Sequence, residues 1–432
     1  MAPARVTPGM TRCSAVDMHY AALCPTVTFI YREALNPKRF AEALAHVLSD
    51  FPAFTGRLRT DRQGSRIDHE PASIRFETAT TPLTVDELIE LVRGDRAQAH
   101  WPQASVPGQL FRGRPLFAAR LTAAADGSMI VLHFNHMLGD LTSSFLLMRA
   151  VAAAYQGKPH VKPLLILDRD AYLSEHLPDP PGSQSCLRVG RWGDLARAVY
   201  ETLRPKRGQL FEFSPEQLEI IQASAGGPKA VSIVDALSAH LFLTVRQLRG
   251  PTPEQNLCMT VNYRRRTGLP DTMLGNPLAL AVQSVKDGDS LAQVAGGMRK
   301  RLSNFTDEVL CYHPTRRFVE ANSGWLKRLR FSHTHYQPGS GDFLINSWAN
   351  SGAYDIKFSD QPPALQWSWA ESPPFFAGMH DVAERPGALF AGVYLPTSLM
   401  ERLQSAEGRA ILYPKRPREP RPAATAAQSA TL

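Results

Sequence analysis

His136 and Asp140 stand four residues apart in the segment His136-Met137-Leu138-Gly139-Asp140. A histidine suits a general base, because an ordinary imidazole titrates near neutral pH. Such a base is needed when an alcohol or amine must lose a proton as it attacks a carbonyl carbon. The carboxylate four residues on is suited to holding the local turn. Taken alone, the spacing is a weak signal, and a core histidine with a helix-capping aspartate is the more ordinary reading of it. Arg264, Arg265 and Arg266 form a second constellation, suited to phosphate binding or to internal pairing with a carboxylate. His333 and His335 share one face of a strand, as two metal ligands would, but no third ligand stands in an obvious place, so no metal is expected. Gly-x-Ser-x-Gly, Walker and Gly-x-Gly-x-x-Gly patterns are absent from the sequence, which leaves hydrolase, nucleotidase and dinucleotide readings without support.

The elements around His136 are legible. Residues 117–122 and 129–134 are apolar runs joined by Asp126-Gly127-Ser128, the pattern of a hairpin. The second run leads directly into His136, and a helix is expected over 142–155 with Gly157 as its stop. His136 therefore lies between a buried strand and a helix N-terminus. Upstream, 27–31 reads as a strand, Pro37 opens an amphipathic helix, 51–58 turns into a strand, and Thr84 with Glu87 forms a capping box. Downstream, helices are expected at 215–223 and 232–249, and a strand at 257–262 before the arginines. Strands at 342–348, 354–358, 364–369 and 388–394 suggest a second sheet. Prolines and Gly182 at 178–183 mark a crossover. The expected organisation is a first domain at 1–175, a linker at 176–208, a second domain at 209–413 and a disordered tail at 414–432.

The chain has 432 residues, enough for two domains of ordinary size, with 44% hydrophobic and 20% charged residues. The formal net charge of +8 favours anionic partners. No run of five basic residues and no basic stripe interleaved with aromatics supports nucleic-acid binding. Cys13, Cys24, Cys186, Cys258 and Cys311 are scattered and odd in number, which fits reduced thiols in the cytoplasm. No apolar run is long enough to span a bilayer, and residues 1–20 carry no secretory h-region, so neither a transmembrane segment nor a signal is expected.

The His-x-x-x-Asp segment resembles the active-site motif of the BAHD acyltransferases of plants and fungi. The resemblance runs almost end to end. Ser14-Ala15-Val16-Asp17 is similar to the family's opening Ser-x-x-Asp, and 51–58 to its Pro-x-x-x-Gly-Arg-Leu turn. Residues 232–240 are similar to the helix that opens its second domain. Arg264-Arg265-Arg266, Leu269-Pro270 and Leu274-Gly275-Asn276 follow its Arg-x-Arg … Pro … Gly-Asn pattern. Asn346-Ser347-Trp348 resembles its Thr-Ser-Trp, and 355–359 a degraded Asp-Phe-Gly-Trp-Gly. Leu141 replaces the usual glycine, and Asn346 the usual threonine.

The resemblance implies an α/β protein of two similar domains, each a mixed β-sheet flanked by helices in the manner of chloramphenicol acetyltransferase, with a tunnel at their interface. It implies acyl transfer from an acyl-CoA co-substrate to a small hydroxyl or amine acceptor, with no tightly bound cofactor. Specialised metabolism is the implied setting and a monomer the implied state. His136 is then the base, and Trp348 and Asn346 are candidate oxyanion donors. Asp140 and Asp355 are implied to be structural carboxylates, with Arg264 or Arg266 as a partner for Asp355. Arg264, Arg265, Arg266 and Ser232 are the candidate coenzyme contacts, although a helix N-cap is the more ordinary role for Ser232. An inactive relative used as a binding or scaffold protein is the alternative from another class. A carrier-dependent condensation domain is a third reading, disfavoured because no carrier module is attached.

Overall fold

The structure, a computed structural model, describes residues 9–415 except 22, 62–63, 71–74, 103–105, 251–253, 323, 329 and 370–373. Eleven strands build its two main sheets: β1 (Thr26–Tyr31), β2 (Arg75–Thr80), β3 (Phe117–Ala123), β4 (Ser128–Phe134), β5 (Lys206–Phe213), β6 (Gln255–Asn262), β7 (Leu278–Val285), β8 (Phe343–Ser347), β9 (Leu365–Trp369), β10 (Phe376–Asp381) and β11 (Leu389–Pro396). The first sheet has the order β9-β1-β4-β3-β2 and the second β7-β6-β8-β10-β11-β5. Both are mixed: β2–β3, β6–β8 and β8–β10 pair parallel, the rest antiparallel. The expected two mixed sheets flanked by helices are present.

Local signals act as their chemistry dictates. Helix α1 (Pro37–Leu48) starts with Asn36 capping Arg39 N–H and Pro37 at its first position. Helix α2 (Val85–Arg93) carries the Thr84/Glu87 box. Helix α3 (Leu141–Tyr155) is buried on most sides. It packs against α1 on one side and lines a cavity on the other, so it shows little amphipathicity. Helix α4 (Ile233–Arg249) lies under the second sheet with Ser232 as its cap.

Three expectations need correction. Residues 364–369 do not join the second sheet: β9 pairs with β1 in the first. Its register places Trp367 opposite Thr28, so β1 is covered and does not form the sheet edge. Trp369 Nε1 donates to the Val92 carbonyl, tying β9 to α2. A core cluster containing Ile30, Val85, Trp367, Phe376 and Phe390 consequently belongs to both sheets. The linker placed at 176–208 holds structure: Leu187–Val189 pairs with Phe331–His333, Trp192–Leu203 is helical, and β5 begins at Lys206. Residues 354–358 are not a strand: a 3-10 turn spans Ala353–Asp355, after Asn350 and Gly352 adopt left-handed φ of 59° and 69°, and 356–358 are irregular. The tail expected to be disordered lies, from residue 416 on, outside the described residues.

Candidate active site

β4 delivers the base. It ends at Phe134, and the chain then enters a 3-10 turn, His136–Leu138, whose cap Asn135 accepts from Met137 N–H. Gly139 closes the turn; a Cβ there would lie 2.6 Å from Ser143 Cβ, so the close approach to α3 requires glycine. Arg169, 2% exposed, clamps the turn from outside by donating to the carbonyls of Met137 (2.7 Å) and Leu138 (2.9 Å). It also donates to Asp17 at 3.3 Å.

The orientation of the imidazole follows from one side chain. Asn276 spends its amide N–H groups on Asp17 Oδ1 (2.7 Å) and the His136 carbonyl (2.8 Å). Its Oδ1 is then an acceptor facing His136 Nδ1 at 2.8 Å, so Nδ1 carries the proton and Nε2 the free lone pair. Among the described residues Nε2 has no hydrogen-bond partner, and it is not among the sealed polar atoms. Tyr20 stacks on the ring at 4.7 Å and 19°. Burial lowers the His136 pKa, opposed by its own backbone, Asp140 and Asn276, so the ring is neutral at neutral pH.

Asp140 turns away from this ring. Its carboxylate caps α3 through Ser143 N–H (3.0 Å) and forms a buried ion pair with Arg264. Arg264, 1% exposed, also donates to the carbonyls of Met273 and Gly275. The pair therefore bolts the start of α3 to the segment that carries Asn276. His136 lines a cavity of about 700 Å³ whose walls come from both sheets and α3, with Phe145, Leu278, Leu344 and Phe376 among its apolar contributors.

With this geometry in view, the profile of the Transferase family matches residues 9–407. The chain belongs to the Transferase family. It is 27% identical to acyltransferase AFT15-1 of Alternaria alternata over 51% of this chain and 42% of that protein. It is 24% identical to the BAHD acyltransferase DCR of Arabidopsis thaliana over 66% of this chain and 62% of that protein. The chain thus spans less than two thirds of the length of either relative. Among solved structures, TRI101 of F. graminearum complexed with coenzyme A and deoxynivalenol superposes with a TM-score of 0.74 at 15% identity, covering 93% of this chain and 98% of that one. That likeness is one of fold.

In this Transferase-family chain, His136, Asn346 and Trp348 all line the cavity. Asn346 and Trp348 lie at the end of β8, where Trp348 N–H donates to the Met379 carbonyl and its indole packs 4.6 Å from His380. The arginine triplet divides. Arg264 is consumed by Asp140, and Arg266 donates to the Leu302 carbonyl with its guanidinium 5.4 Å from the Phe305 ring. Both guanidinium groups are engaged within the protein, and neither lines the cavity. Only Arg265 reaches its rim, exposed and paired with Asp271 at 3.2 Å. Ser232 is likewise off the cavity: its hydroxyl caps α4 and accepts from Arg299 at 2.7 Å. Asp355 is exposed and is not the partner of Arg264 or Arg266, because Asp140 occupies the first and backbone the second. His333 Nδ1 accepts from His335 N–H, an arrangement local to that strand end. The roles of Asp17, Asn276, Arg169 and Tyr20 went unread. Asp17 and Asn276 lie inside recognised motifs that gave them position without task. Arg169 and Tyr20 carried no signal.

Proposed function

We propose that this chain transfers an acyl group from an acyl-CoA thioester to the hydroxyl or amine of a small acceptor by direct attack. The observation that carries the reading is His136, with Nδ1–H held by Asn276 and its ring lining a cavity walled by both sheets. The acceptor O–H or N–H gives its proton to Nε2 as its heteroatom attacks the thioester carbonyl. In this reading the tetrahedral oxyanion is met by a side-chain N–H of Trp348 or Asn346; both residues line the cavity with His136, which supports the assignment. Collapse expels the coenzyme A thiolate, which takes the proton back from His136. No acyl-enzyme forms and no tightly bound cofactor is required. Arg265, exposed at the rim beside Asp271, is the residue we assign to a screened contact with a coenzyme phosphate.

Both walls of the cavity come from one chain, which supports a monomer. No helix among the described residues is long and apolar enough to cross a membrane, and cytoplasmic chemistry fits the free cysteines. The oriented imidazole of His136, lining a cavity, weighs against an inactive binding protein. The test is release of free thiol from acetyl-CoA with a panel of alcohols and amines. His136→Ala should lower turnover by roughly 10²–10⁴, the usual worth of a positioned base, with folding intact. A folded variant that turns over like wild type would sink the mechanism.

A further inference from the structure

The charged groups around the cavity are paired, with one exception. Asp140 holds Arg264, Arg265 holds Asp271, and His160 meets Asp50 at 3.0 Å. Arg149 lines the same cavity from the α3 stripe that includes Thr142, Phe145 and Leu146. Its Nη2 donates to the carbonyls of Ser351 (2.7 Å) and Gly352 (3.1 Å). These two bonds anchor the guanidinium without neutralising it. Nε and Nη1 make no hydrogen bond to the described residues, and Arg149 stands between this cavity and a second pocket that Asp355 and Asp360 line. No described carboxylate lies in ion-pair distance; Asp355 and Asp271 act on Arg149 only from farther off. The side chain is half-buried in a wall that is mostly apolar. Burial lowers its pKa, with those two aspartates opposing.

A half-desolvated cation whose nearest carboxylates, Asp355 and Asp271, stay beyond ion-pair distance is only partly compensated, and a ligand anion would complete the pairing. A single such cation matches a single negative group; a pyrophosphate would call for more. We propose that Arg149 is a specificity residue that binds a carboxylate on an otherwise apolar substrate, carried by the acceptor or by the far end of the acyl chain. This deepens the acyl-transfer reading and rests on it for the name of the reaction only. The bonds to Ser351 and Gly352 fix Nη2 and so hold the guanidinium in place before ligand arrives.

Two matched pairs of probes separate the sources of the carboxylate. Calorimetry compares 4-(hydroxymethyl)benzoate with its methyl ester, and succinyl-CoA with butyryl-CoA, on wild type, Arg149→Gln and Arg149→Lys. The Gln variant keeps an amide NH₂ for the 351–352 carbonyls and loses the charge. Wild type should prefer the acid in one pair, and that pair names the source. Arg149→Gln should reduce the preference by about 10- to 100-fold, the worth of hydrogen bonds to a charged group, and Arg149→Lys should retain part of it. The proposal is overturned if wild type shows no acid preference in either pair, or if Arg149→Gln leaves the preference intact. It is overturned too if Arg149→Gln weakens succinyl-CoA and butyryl-CoA equally, which would assign Arg149 to the coenzyme phosphates. Binding is read without turnover, so an acid preference in a chain that releases no thiol would sink the acyl-transfer reading alone.

Discussion

Asn276→Ala tests how the base is held. Asn276 is 1% exposed, and its side chain makes three hydrogen bonds: to His136 Nδ1, to the His136 carbonyl and to Asp17. The bond to a carboxylate is worth about 1.5–3 kcal/mol and each neutral one about 1 kcal/mol. Water entering the vacated space would recover part of that. A stability loss of about 2–4 kcal/mol is therefore expected, read as a shift in the urea midpoint. Catalysis should suffer separately. Without Asn276 nothing selects the Nδ1–H tautomer or fixes the ring, so kcat/KM should fall about 10- to 100-fold, the effect of one or two lost positioning bonds. Thiol release measured below the unfolding midpoint separates the two effects. Asn276→Asp adds a diagnostic. An oxygen still accepts from Nδ1, but the new carboxylate raises the His136 pKa and moves the acid limb of the rate profile to higher pH. A folded Asn276→Ala enzyme with kcat/KM within about twofold of wild type and an unchanged acid limb would refute the argument.

Asp140→Ala strands the buried Arg264 charge and should cost about 3–5 kcal/mol, whereas Asp355→Ala, at an exposed position, should stay within about 0.5 kcal/mol; denaturant midpoints decide, and equal losses would overturn the assignment. Burial depresses His133 to about 4 and His380 to about 3. Their folded pKa values lie below the unfolded value of 6.5, so the unfolded state binds protons first. Stability should be full above pH 6.5 and fall towards pH 4 by up to about 1.4 kcal/mol per histidine per pH unit, and a urea midpoint flat over pH 7–4.5 would contradict this. The acid limb of turnover should lie below the ordinary histidine value of about 6.5, because burial also lowers His136; a limb above 7 would show that an opposing charge dominates. Arg265→Ala should weaken acyl-CoA binding by no more than about fivefold at physiological salt, and more at low salt, as for exposed pairs; a loss that ignores salt would show a packing role.

The legible parts of this chain are those whose physics is local. The Thr84 and Ser232 caps, the hairpin ahead of His136, and the burial of Ser128–Phe134 follow from residues a few positions apart. The ordered motifs named the family, because several medium signals in sequence exclude more folds than one strong signal does. The tertiary structure decided which charges meet. Arg264 selected Asp140, 124 residues away, and not Asp355, because burial of the guanidinium leaves room for one carboxylate and two carbonyls. Strand β9 crossed to the first sheet because pairing with β1 buries Trp367 and Trp369 against α2 and the second sheet, a gain that alternation along 364–369 cannot express. His136 was visible as a base in one dimension. Its tautomer depends on Asn276, which in turn depends on Asp17, 259 residues earlier. Such partners are chosen by chain packing, since hydrogen-bond geometry over about 3 Å carries no signature in local sequence.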